Sequence, residues 1–327
     1  MKIVALEEHA VSAPIRDAWI ATADRQDASV GMNRTQFDDQ LEDLGEHRLA
    51  AMDAAGIDVQ VLSLPSPGLQ NFTAAEAVPL ATAFNDFLAR VVARRPDRFE
   101  AFATLPVADP EASARELERA VRHLGMKGAL MNGRVGERNM DAAAFEPIYE
   151  AAAALGVPLY IHPQIPRREV VEAYYTGFDP KTDLMFSMGA VGWHYDAGMQ
   201  LLRMVMSGLF DRHPNLQVIV GHWGEVILFY LDRIKMLDHG GLKLQRPIKK
   251  YFRTNVHYTP SGIFAQSYLN WAIETVGIDR IMFSQDYPYQ SARDGGARKF
   301  LEQAAVTDAE RAAIAHGNWE RLLKIKR

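Results

Sequence analysis

A chain of 327 residues with 48% hydrophobic and 24% charged residues has enough apolar content for a large folded core. Its net charge of −5 and lack of any Lys/Arg block argue against a nucleic-acid surface, and the absence of cysteine excludes disulfides, thiolate ligation and a cysteine nucleophile. No apolar run approaches the roughly 18 residues that span a bilayer. The N-terminus lacks the basic, apolar and cleavage segments of a secretory leader, so the sequence predicts a soluble cytoplasmic protein without a membrane partner.

The chain opens on a strand, near residues 2–7, that runs into Glu7-Glu8-His9. A long connection (10–36) leads to an amphipathic helix from Asp38 to Ala55 with Leu41, Leu44, Leu49 and Met52 on one face. Strands near 58–63, 100–105 and 127–131 then alternate with helices at 85–95 and 110–124, and Asn132 follows the fourth strand. A helix at 142–154 precedes a strand near 157–162 that ends in His162-Pro163. Gly56, Gly125 and Gly156 follow three of the helices, where a left-handed cap wants glycine. A second long connection (163–195) carries Tyr174, Tyr175, Phe178, Phe186, Trp193, His194 and Tyr195. Long loops of this kind are substrate covers or oligomer contacts. Strands near 217–222, 254–258 and 280–285 complete the set, the first ending in His222 and the last in Asp286. Eight strands alternating with helices predict a (β/α)₈ TIM barrel with long loops after strands 1 and 5, as a single domain over 1–327.

A buried parallel strand is apolar on both faces, so an acidic or imidazole group at its C-terminal end needs a reason. Barrels place their chemistry at those ends. Glu7 and His9 stand two apart on a strand and share a side, while Glu8 points away. His162 and Asp286 end apolar runs, and together the four offer nitrogen and oxygen ligands that suit one Zn²⁺ or Mn²⁺ with positions left open. His222 stands three residues before Glu225, at the start of the next helix. Glu225 could fix its tautomer and make it a proton carrier, or His222 could be a further ligand. Asn132 could donate into the pocket or form a turn. Arg233 could bind an anion or a surface carboxylate. Trp193 and Tyr289 could stack on a planar substrate or pack their loops, and His257 could face the pocket.

Several stretches carry a resemblance: Ala5-Leu6-Glu7-Glu8-His9, Arg95-Pro96-Asp97-Arg98-Phe99, Lys127-Gly128-Ala129-Leu130 and Tyr160-Ile161-His162-Pro163. With them go Ser207-Gly208-Leu209-Phe210-Asp211, Gly221-His222-Trp223-Gly224-Glu225 and Phe283-Ser284-Gln285-Asp286-Tyr287-Pro288. In this order they resemble the metal-dependent decarboxylase branch of the amidohydrolase superfamily. That branch includes the aminocarboxymuconate semialdehyde, γ-resorcylate, 2,3-dihydroxybenzoate and 5-carboxyvanillate decarboxylases. The resemblance implies one divalent metal at Glu7, His9, His162 and Asp286. The Glu-x-His start is the variant of the dihydroxybenzoate type, and Lys127 lies at the wrong end of its strand to bridge two metals. It further implies proton transfer by Asp286 to the ring carbon of a hydroxylated aromatic acid, with His222 and Glu225 in support, release of CO₂, and a homodimer or homotetramer. The alternative is a hydrolase of a lactone, ester or amide in which the same ligands activate water.

Overall fold

In the computed structural model, which describes residues 1–35, 37–290 and 295–324, strands that are apolar on both faces lie between two packed layers. They are β1 (Val4–His9), β2 (Val59–Ser63), β3 (Phe99–Ala101), β4 (Ala103–Thr104), β5 (Ala129–Asn132), β6 (Leu159–His162), β7 (Val218–Val220) and β8 (Val256–Tyr258). All pair in parallel, β1-β2-β3 in one ladder and β4-β5-β6-β7-β8 in another. Only Phe102 separates β3 from β4. Its amide donates to the Leu62 carbonyl while Ala103 donates to that of Gly128, so one kinked strand joins the two ladders.

Alternation along the strands sorts the core. Val4, Leu6, Val61, Phe102, Leu130, Tyr160, Ile219 and Met282 form an inner cluster that Trp319 and Leu322 of the C-terminal helix complete. Their neighbours, such as Leu159, Ile161, Val218 and Val220, pack outward in the layer shared with the helices. The (β/α)₈ barrel expected from the sequence is therefore filled by side chains rather than open.

The expected eighth strand is reduced to bridges. Ile281 pairs with Tyr258 and Phe283 with Ala5, and these single contacts carry the circle from β8 to β1. Between Phe283 and Tyr287, which pairs again with Glu8, the segment bulges: the Gln285 amide donates to the Glu8 carboxylate, at 2.8 Å, and Asp286 turns left-handed at φ 67°.

Helix boundaries differ where a local cap intervenes. The stretch expected as one helix is two, Asp38–Glu42 and Glu46–Ala55, because Asp43 accepts from the amides of Gly45 and Arg48 and starts the chain afresh. The helix expected at 85–95 begins at Ala74, behind a Thr73/Glu76 capping box. Gly56, Gly125 and Gly156 do terminate helices in the left-handed region, at φ 78°, 74° and 64°. Both long connections carry helices of their own, Ala13–Ala21 and Ala28–Thr35 in the first, Arg168–Tyr174 and Pro180–Met185 in the second. Among the described residues no helix is long and apolar enough to cross a membrane.

His257 is not a pocket residue. Its Nε2 lies 3.3 Å from Arg280, whose guanidinium also donates to Gln217 and the Thr254 carbonyl at the strand starts. Burial, then the charges of Arg280 and Arg321, push the His257 pKa from 6.5 down to about 3. Folding thus favours the neutral ring. Its contribution is complete above pH 6.5 and is lost as pH falls from there towards 3, by about 1.4 kcal/mol per pH unit. His257→Gln is expected to flatten the acid limb of stability in this window. Urea midpoints at pH 7 and pH 5 that shift equally in wild type and variant would contradict this.

Candidate active site

The C-terminal end of β1 is re-aimed by a bulge. Ala5 pairs with Gln60 and Glu8 with Leu62, so β1 spends one residue more than β2 over that interval. Leu6 fills the barrel below, and Glu7 and His9 turn to the mouth. They meet His162 at the end of β6 and Asp286 just beyond the bridge at Phe283. One ligand atom from each of the four lies within 4.8 Å of the others, and all four residues are buried.

Glu7, His9 and His162 are each anchored by one atom and free at the other. Glu7 Oε2 accepts from Tyr160 Oη at 2.6 Å and from Ser261 Oγ, while Oε1 has no hydrogen-bond partner among the described residues. His9 Nδ1 faces Ser63 Oγ at 3.2 Å, leaving Nε2 unpartnered. His162 Nδ1 donates to the Pro163 carbonyl at 2.9 Å, so its Nε2 carries the lone pair. Asp286 Oδ1 is likewise unpartnered.

The free atoms stand at revealing separations. His162 Nε2 is 3.5 Å from Glu7 Oε1, and His9 Nε2 is 3.4 Å from Asp286 Oδ1. These are long for hydrogen bonds. They match the ~3.4 Å edge of a tetrahedron with metal bonds of about 2.1 Å. The donor set therefore fits one divalent cation.

Electrostatics agree with that geometry. Burial, then His9, pushes His162 down to about 3, which keeps it neutral and able to ligate. Burial raises the Glu7 carboxyl above its ordinary range. Burial would raise Asp286 too, but the attraction of His222 and His9 outweighs it and holds the carboxylate below its ordinary value.

His222 stands beside this group, with Nε2 3.7 Å from Asp286 Oδ2. Its Nδ1 meets Glu225 Oε1 at 2.7 Å, the pairing expected from the spacing. The route differs from the expected one, since Glu225 does not open a right-handed helix. His222, Trp223, Gly224, Glu225 and Val226 all have φ between 47° and 86°, a left-handed turn, and the following helix starts only at Ile227. Left-handed backbone costs a non-glycine residue about 1–2 kcal/mol, so tertiary contacts must hold the turn. Burial works against a charged His222, yet the Glu225 and Glu7 carboxylates outweigh it and hold its pKa well above 6.5. His194 faces the other Glu225 oxygen, Oε2, at 2.8 Å. His194, His222 and Glu225 are a second group with ligand-type atoms, but contacts of 2.7 and 2.8 Å mark them as hydrogen-bonded partners rather than ligands of one ion.

The remaining expected residues divide. Asn132 is buried, pairs in register with His162, and has a side-chain oxygen with no partner among the described residues. Trp193 is buried edge-on to His162, ring centroids 6.4 Å apart. Tyr289 lies 5.5 Å from the His9 ring and donates to Asn33 at 2.5 Å, tying the first long connection to the mouth. Arg233 is not at the site. It is exposed in the last turn of the helix Ile227–Ile234, away from the strand end that begins this connection.

Residue type and spacing alone did not point to Tyr160, Ser261, His194 or the buried Glu8–Gln60–Arg48 network behind β1. Arg48 is fully buried, donating to Gln60 and to the His9 carbonyl, while Gln60 donates to Glu8. The signal was available for Glu8, a second charge in an apolar strand. A cavity of about 570 Å³ opens between the two long connections, bordered by Arg25, Asn71, Arg134, Gln164, Arg168 and Leu184. None of the four converging groups lines it, so the strand ends and not this hollow define the chemistry.

Comparison with known proteins agrees with this arrangement. The family described as Amidohydrolase matches residues 18–325. The γ-resorcylate decarboxylase of Polaromonas sp. is 36% identical over 88% of this chain and 90% of its own length. The 5-carboxyvanillate decarboxylase LigW from Sphingomonas paucimobilis superposes with a TM-score of 0.91 at 33% identity, covering 99% of both chains. A dihydroxybenzoic acid decarboxylase from Polaromonas sp. JS666, solved with bound manganese and the inhibitor 2-nitroresorcinol, superposes with a TM-score of 0.85 at 33% identity, over 100% of this chain and 98% of that one. With a family match over most of its length and a metal-type ligand group at its strand ends, the chain belongs to the amidohydrolase family.

Proposed function

We propose that this protein is a metal-dependent, non-oxidative decarboxylase of a hydroxylated aromatic carboxylic acid, with its whole chain as one domain. One observation carries the reading: buried, unpartnered ligand atoms of Glu7, His9 and Asp286 converge with His162 Nε2 at the spacing of ligands around a cation. The decarboxylase relatives and the manganese in one of their structures support it. The nitrogen and oxygen donors suit Mn²⁺ and Zn²⁺ alike. A divalent ion held there would supply Lewis acidity and a fixed positive charge toward an acidic substrate.

The protein side chains carry the proton. Losing CO₂ directly would leave an aryl carbanion, so the ring carbon bearing the carboxylate is protonated first. The bond to the carboxylate then breaks, its electron pair restores the aromatic ring, and CO₂ departs. Asp286, ionised at rest, takes that proton from His222 and hands it to the ring carbon. His222, whose raised pKa makes it the proton reservoir, refills Asp286 across 3.7 Å, and Glu225 balances the charge. Asn132, Trp193 and Tyr289 border His162 and His9, where they would contact the ring and its substituents. We read the protein as cytoplasmic and as a homodimer or homotetramer. Exposed Phe229, Tyr230 and Met236, and Tyr174, Phe178 and Met185 on the second long connection, support self-association.

Incubated with Mn²⁺ or Zn²⁺ and a panel of ortho-hydroxylated benzoates, the protein is expected to release CO₂. No CO₂ from any of them, together with opening of lactones, would replace this reading with the hydrolase. Metal analysis separates the residues by role. His162→Ala and Asp286→Asn should lose most bound metal. His222→Asn should keep it and lose about 10²–10⁴ in kcat. Full occupancy in both ligand variants would remove the ligand assignment. Tyr160→Phe, which deletes a donor to Glu7, should weaken metal affinity about 10-fold to 100-fold in chelator competition.

A further inference from the structure

We infer that His194 is a positioning residue. Through Glu225 it sets the tautomer and orientation of His222, and so links the segment covering the site to the proton-transfer histidine. His194 Nε2 lies 2.9 Å from the Gly189 carbonyl, which can only accept, and Nδ1 lies 2.8 Å from Glu225 Oε2. Glu225 is fully buried, and its carboxyl is held below its ordinary range. Burial would raise it, but His222 and His194 outweigh that effect. With Oε2 held by His194, Oε1 is left for the Nδ1–H of His222, and the remaining His222 nitrogen, Nε2, faces Asp286.

A separate contact seats the same helix on the same turn. Gly198 stands one helical turn after His194 in the helix Gly192–Met206, and a Cβ there would lie 2.3 Å from the Glu225 carbonyl oxygen. The helix backbone therefore reaches the strained turn at Gly198, and its side chain at 194 reaches the Glu225 carboxylate. The His194 and His222 rings are 4.4 Å apart. Trp193, next in sequence, packs on His162, and Gly189 belongs to the second long connection. This helix start thus touches the ligand group, the histidine relay and the cover.

Two conservative substitutions divide the bonds of His194. Asparagine places an amide nitrogen near the position of Nδ1 and can keep the Glu225 contact. Glutamine reaches the position of Nε2 and can keep only Gly189. The kinetic arm rests on the decarboxylase reading, and the spectroscopic arm does not. With zinc-loaded protein carrying ¹⁵N-labelled histidine, wild type and His194→Asn should show a protonated His222 Nδ1, and His194→Ala and His194→Gln should lose that signature. On a hydroxybenzoate the Ala and Gln variants should lose about 10-fold to 100-fold in kcat with KM little changed and metal content intact, and Asn should recover most of it. An unaltered His222 signal in His194→Ala would overturn the inference. So would the reverse pattern, with Gln active and Asn impaired, because it would reduce His194 to a loop anchor. A wild type inactive on every ring acid but with the expected spectra would remove the decarboxylase reading and leave the positioning role standing.

Discussion

Two carboxylates and two imidazoles, buried and pointed at one another, are the constraint around which the rest of this barrel is arranged. A fully buried anion without a partner costs several kcal/mol, and here Glu7 and Asp286 stand together at the mouth. The local chain departs from regular geometry to bring them there. A bulge in β1 aims Glu7 and His9 at the mouth, and Asp286 takes a left-handed conformation. Gly221 leaves room for Glu7 and Ser261, since a Cβ there would lie 2.8 and 2.4 Å from their oxygens. Such departures persist only where the surroundings over-determine them.

Behind β1 a second buried set does the over-determining. Glu8 accepts from the Gln285 amide and from Gln60, and Arg48 holds Gln60, the His9 carbonyl and the face of Tyr287. Burial pushes Glu8 up to about 8 and Arg48 down to about 10. A hydrophobic replacement could serve stability as well as this pair does. What it would not do is tie residues 285–287 to the end of β1, and with them the spacing between His9 and Asp286.

On the opposite flank, strain and function share one turn. Residues 222–226 are left-handed, and the helix carrying His194 and Gly198 rests on them. Both long connections reach the mouth by the same logic, the first through Asn33 and Tyr289, the second through Trp193 and His194. The second connection is thereby built into the electrostatics of the site.

Much of this was legible in one dimension, for a physical reason. A strand buried on both faces tolerates only apolar residues, so Glu7, His9, His162 and Asp286 stood out as soon as the runs were read. Helix ends were legible where the cap is local, as at Gly125, and misread at Thr73, where the capping box lay beyond the stretch recognised as helical. The His222–Glu225 pair was legible from spacing, but its left-handed turn was not, because the contacts that stabilise it come from residues distant in sequence. Arg233 shows the converse, a plausible residue type and distance along the chain whose helix faces it outward. The sequence by itself determined the alternation of strands and helices, the polar strand endings and the ligand chemistry, since burial and alternation act between near neighbours. Tertiary structure alone decided which nitrogen of each histidine is free, that Tyr160 and Ser261 hold Glu7, and that His194 reaches Glu225. Those choices depend on hydrogen-bond partners that only folding brings together.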